Sequence, residues 1–103
     1  MDRKVYMKRE LLHHLLPLGT VLTLKEGKKK VMIVGRIQEK ESGKLYDYAA
    51  VLYPEGMIDP KELYLFNAGD IERLYHIGMQ DEEEFAFRTY MEEEAEKLGI
   101  LEE

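Results

Sequence analysis

The chain contains no cysteine. Disulfides and thiolate metal sites are therefore excluded, and the composition suits a reducing compartment. Long apolar runs are also missing. The longest N-terminal stretch, Leu11–Leu18, is broken by His13, His14 and Pro17. It is no signal-peptide core, and nothing approaches the roughly 20 apolar residues of a membrane span. A soluble cytoplasmic protein is the expectation. Beyond Thr20, serine and threonine are limited to Thr23, Ser42 and Thr89, and none has the context of a nucleophile elbow. No HExxH, glycine-rich dinucleotide loop or P-loop occurs. Gly19 and Gly27 are too far apart to frame Lys28–Lys29 as a phosphate cradle. The three histidines give no metal set, because adjacent His13 and His14 diverge by about 100° on a helix. Neither catalysis nor a cofactor is expected.

What remains is a chain of 103 residues, 45% hydrophobic and 35% charged, the size and balance of one globular domain spanning 1–103. Its charge is divided. Residues 1–53 carry eleven Lys+Arg against six Asp+Glu, a net of +5, and residues 54–103 four against fifteen, a net of −11. The acidic half is a poor match for bulk nucleic-acid binding, which depends on neutralising phosphate.

Periodicity predicts an N-terminal helix over 3–16, stopped by Pro17. Strands are expected at Thr20–Lys25, Lys30–Glu39 and Leu45–Tyr53. The first turn, Glu26–Lys29, is expected to use Gly27 at positive φ. Gly35, inside an apolar strand, signals a bulge or a close backbone approach. Leu63–Phe66 is a short extended piece. Ile71–Ile77 fits either period, and its shortness between Gly69 and Gly78 favours a strand. Residues 82–98 form an amphipathic helix, with Asp81 as N-cap, Glu84 at capping-box spacing, Lys97 in the last turn and Gly99 at C′. Its apolar stripe is Phe87, Tyr90, Met91, Ala95 and Leu98. The expected fold class is α+β: a small antiparallel meander of three to four strands, covered on one face by the two helices.

Three ordered motifs, LPLGTV (16–21) with MIVGR (32–36), YDYAAVLYPEG (46–56) and FNAGDI (66–71) ahead of Gly78, resemble the Firmicute domain of unknown function numbered four-one-seven-six. The resemblance covers about residues 15–95, with Met79 where that family commonly has an aromatic. It implies a small cytoplasmic accessory protein, an adaptor or chaperone-like partner of type VII secretion toxins with an LXG export domain, and it defines no catalytic residues. The corresponding partner-binding candidates are Tyr46, Tyr48, Tyr53 and Glu55 on the sheet and Phe87, Tyr90 and Met91 on the helix, exposed aromatics being common interface anchors. The same tyrosines fit core packing equally well. Two other readings stand beside this one. The first is a barrel-like nucleic-acid binder using Lys25, Lys28–Lys30, Arg36 and the tyrosines, and the second is a toxin immunity protein.

Overall fold

The computed structural model describes residues 7–8, 11–12 and 14–102. Its main body is an antiparallel sheet of five strands: β2 (Val21–Leu24), β3 (Val31–Glu39), β4 (Leu45–Leu52), β5 (Tyr64–Phe66) and β6 (Ile71–His76). Their order is β5-β4-β3-β2-β6. One helix, α1 (Glu82–Leu98), follows the sheet. The α+β class stands, with five strands rather than three or four. Strands β2 to β5 form the expected meander, but β6 returns to pair with β2 at the opposite edge.

That return dictates the sheet's shape. Four interstrand spacings of about 4.8 Å would put flat edges ~19 Å apart. The five steps from Phe66 to Ile71 span ~18 Å at full extension. They are not extended, because Ala68–Asp70 is a 3-10 turn. The sheet therefore curls until its edges approach, as a partly closed barrel. The 3-10 turn ties across the seam: Lys25 N–H donates to the Asp70 carbonyl at 2.9 Å, Ala68 N–H to Asp47 Oδ2 at 2.7 Å, and Asp47 N–H to Asn67 Oδ1 at 3.0 Å.

Half of the helix expected over 3–16 lies outside the described residues, and the described half does not form it. Within its span Leu11 and Leu12 are helical, but Met7–Lys8 is extended. These two residues form β1, paired in parallel with β7 (Leu101–Glu102). The backbone reason sits at the end of α1. Gly99 adopts φ 71°, a left-handed C′ conformation open to glycine. This turns Ile100 and Leu101 back along the core, where Leu101 gives Met7 a ladder partner. The first hairpin also differs from expectation. Gly27 is absent from the positive-φ residues, and its N–H closes the turn on the Leu24 carbonyl at 3.0 Å.

The core gathers Leu12, Leu15, Leu22, Ile33, Tyr48 and Phe66 from the N-terminal segment and four strands, with Met91 and Ala95 from α1. Tyr48 and Phe66 meet at 5.5 Å between ring centroids. Among the described residues no buried side-chain nitrogen or oxygen lacks a hydrogen bond. No helix among them is long and apolar enough to cross a membrane.

Candidate functional site

Most of the motif residues turn inward. Buried Thr20 donates its hydroxyl to the Pro17 carbonyl at 2.8 Å and accepts the Gly78 N–H at 3.1 Å. A Cβ on Gly78 would stand 1.9 Å from the Leu18 carbonyl oxygen, so only glycine allows this crossing. Tyr48 is 1% exposed, and its hydroxyl accepts the Leu16 N–H at 3.1 Å. Burial raises the Tyr48 pKa above its ordinary value. Burial likewise raises Asp47 against the opposing Ala68 hydrogen bond. These groups lock the Leu16–Thr20 segment and the β5–β6 link to the sheet.

Arg36 and Glu84 join β3 to the first turn of α1. Asp81 caps the helix, accepting the Glu84 N–H at 3.0 Å. The Glu84 side chain does not complete a capping box. Its carboxylate accepts both terminal nitrogens of Arg36, one at 3.0 Å, and Arg88 Nε at 2.8 Å. Their side chains are 4%, 11% and 14% exposed for Arg36, Glu84 and Arg88. Burial pushes the Glu84 pKa up, but the two guanidiniums outweigh it and hold the carboxyl below its ordinary value. The acidic helix start thus supplies a half-sequestered clamp as well as a dipole partner.

Above this clamp, α1 stands off the sheet and leaves an apolar groove of about 340 Å³. One wall is the helix, through Phe87, Tyr90, Met91 and Leu98, and the other is Leu18 and the β3 bulge at Val34. The bulge follows from the β3–β4 register, which shifts by one residue between Ile33 and Gly35 and leaves Val34 unpaired. Ile37, at φ 55°, also lines the groove. A β-branched residue in left-handed backbone is strained by about 1–3 kcal/mol, and such strain concentrates at binding sites. Phe87, Tyr90 and Leu98 are 48%, 53% and 63% exposed, although they belong to the stripe that amphipathic spacing aims at a core. The groove's charged side chains are Arg36 and Glu94, and Tyr90 adds a hydroxyl. Arg36 is engaged by Glu84, so little orienting chemistry of the kind small-molecule sites use faces the groove.

The sequence candidates therefore separate. Phe87 and Tyr90 stack at 5.8 Å on the outer wall, and Met91 is mostly buried at the groove floor. Tyr48 lies in the core and presents no surface. Tyr46 is half-buried, with Lys44 Nζ 5.1 Å from its ring. Glu55 is exposed and paired with Lys29 at 2.9 Å, and that hydrogen bond holds its carboxyl below the ordinary value. Tyr53 lines a second concavity of about 490 Å³ with Lys30, Tyr75 and His76. Here Lys30 Nζ and Arg73 Cζ lie 4.8 and 5.2 Å from the Tyr75 ring. The lysine knot is thus a hairpin tip whose Lys29 and Lys30 have partners in the fold. Sequence reasoning missed Leu18, Val34 and Ile37. Only Gly35 hinted at them, through its bulge signal. Among the described residues no group of three or more His, Asp or Glu could hold a metal ion.

Residues 15–87, well over half of the chain, match the family described as a domain of unknown function (DUF4176). No curated protein and no solved structure matches.

Proposed function

The chain belongs to the DUF4176 family, and on that premise we propose that it is a non-catalytic, chaperone-like accessory protein. In this reading it binds a type VII secretion toxin of the LXG kind in the cytoplasm before export. The observation that carries the contact reading is the groove. Phe87, Tyr90 and Leu98 stay about half exposed or more beside exposed Leu18 and Val34. A contiguous apolar surface of this kind marks a protein interaction site. The groups with shifted pKa values support the same reading, because Glu84, Asp47 and Tyr48 each satisfy a structural partner. The test is co-purification of the tagged protein with the products of neighbouring genes, an LXG toxin among them being the expected partner. Retention supports the proposal, and loss of association with every neighbouring gene product removes it. Dependence on the toxin's C-terminal half alone would instead assign an immunity role.

A second reading rests on the Tyr75 cluster. An exposed aromatic flanked by Lys30 and Arg73 in a concave surface is the arrangement that stacks a base and attracts phosphate. Salt-sensitive binding of single-stranded RNA, abolished by Tyr75→Ala, would favour it. The net charge of −6 weighs against it.

A further inference from the structure

We infer that the groove between α1 and the β3 bulge takes one amphipathic α-helix of a partner protein, apolar on its inward face and carrying lysine or arginine along its flanks. This rests on the accessory-protein reading and specifies the chemistry of the partner.

The shape of the groove sets the occupant's secondary structure. β2 pairs with β3 only at Val31 and Met32, and Gly19 and Thr20 extend the contact to Ile33 through backbone bonds of 2.8 and 2.9 Å. Beyond Ile33 that flank of β3 faces the groove and looks open to an added strand. Three features close it. Val34 bulges out of register. Ile37 holds left-handed backbone, φ 55°, which departs from the extended geometry an added strand would pair with. Gln38 Nε2 donates to the Arg36 carbonyl at 3.1 Å. These are the devices that protect sheet edges, so an incoming chain must bind through side chains. The long wall from Phe87 to Leu98 rises ~1.5 Å per residue, ~17 Å or three turns. A helix laid against it meets the wall through anchors at i, i+3 or i+4, and i+7.

Charge sets the occupant's flanks. α1 carries seven glutamates against Arg88 and Lys97. Arg88 is engaged by Glu84 and Gln80. Glu94 lines the groove, one turn beyond Tyr90, and exposed Glu83 stands one turn before Phe87. Lys97 approaches Glu94 at 3.5 Å with its own side chain 75% exposed, a surface pair that a partner's cation displaces at little cost. Glutamates along the α1 side of an apolar floor select a basic-flanked helix and repel an acidic one.

The experiment uses the full chain and three fluorescein-labelled peptides. Each spans four turns with leucine or phenylalanine at the anchor positions. The first has lysine flanks, the second glutamate flanks, and the third lysine flanks with a central proline. Anisotropy titrations are run on the wild type, on the F87S/Y90S/L98S variant and on E83K/E94K. Glu83, Phe87, Tyr90 and Leu98 are exposed and Glu94 is half-buried, and a far-UV circular dichroism melt checks that each variant folds. The lysine-flanked helix should bind the wild type at least tenfold more tightly than either other peptide. Tenfold or more of that affinity should be lost in F87S/Y90S/L98S, and E83K/E94K should reverse the charge preference. Equal binding by wild type and F87S/Y90S/L98S overturns the inference, as does preference for the glutamate-flanked peptide or failure of all three to bind. A wild-type dimer that F87S/Y90S/L98S makes monomeric also overturns it, because a second copy then fills the groove. If the toxin co-purifies equally with wild type and F87S/Y90S/L98S, the accessory role stands and the groove assignment falls. If no toxin co-purifies while the lysine-flanked helix binds, the reverse holds.

Discussion

Neutralising Glu84 removes the anion that holds two guanidiniums between β3 and α1. In Glu84→Gln the shape is kept and the charge is lost. Arg36, 4% exposed at its side chain, is left as an uncompensated buried cation. Breaking a buried pair in this way costs about 3–5 kcal/mol. Arg88 can swing toward water and retain Gln80, so the low end applies, ~3 kcal/mol. For a domain of this size that corresponds to a fall in Tm of roughly 12 °C. Urea denaturation at pH 7, followed by circular dichroism, measures it directly. Arg36→Met combined with Glu84→Met should recover most of the loss, because an apolar pair of similar volume avoids desolvating any charge. The pH dependence has a definite sign. The folded carboxyl titrates below its unfolded value. Its contribution is therefore complete above the unfolded pKa of about 4.3 and disappears as pH falls through the folded value. The stability gap between wild type and Glu84→Gln should narrow below pH ~4. A loss under ~1 kcal/mol at pH 7, the worth of an exposed pair, would refute the clamp.

Gly78→Ala should cost at least ~2 kcal/mol, because the new methyl meets the Leu18 carbonyl at 1.9 Å and the backbone must separate; a chemical melt checks it. Tyr48→Phe leaves the Leu16 N–H without its partner and should cost ~1–2 kcal/mol in the same melt. Ile37→Gly should cost ~1 kcal/mol or less in equilibrium unfolding, since relief of the left-handed strain offsets the lost apolar contact.

Local signals carried most of the secondary structure. α1 begins and ends as expected because Asp81 and Gly99 are caps whose chemistry acts within four residues. β6 forms at Ile71–His76 because alternation between two glycines leaves too little length for a helix. Long-range partners were not legible. Tyr46 and Tyr48 read alike, yet Tyr48 is buried because its hydroxyl finds the Leu16 N–H, 32 residues away. Glu84 read as capping chemistry, and its carboxylate instead meets Arg36, 48 residues earlier. The groove combines a loop leucine, a bulge and a helix from distant parts of the chain, so no single stretch announced it. The closing of the sheet depends on the β5–β6 link, whose short reach has meaning only once β6 is known to pair with β2.

Hydrogen exchange on a complex with the LXG toxin proposed as its partner tests most directly whether the groove is where this protein makes its contact. Binding should slow exchange at 33–38 and 87–98 together, with little change at 71–76. Protection confined to the Tyr75 face, with 87–98 unaltered, would contradict it.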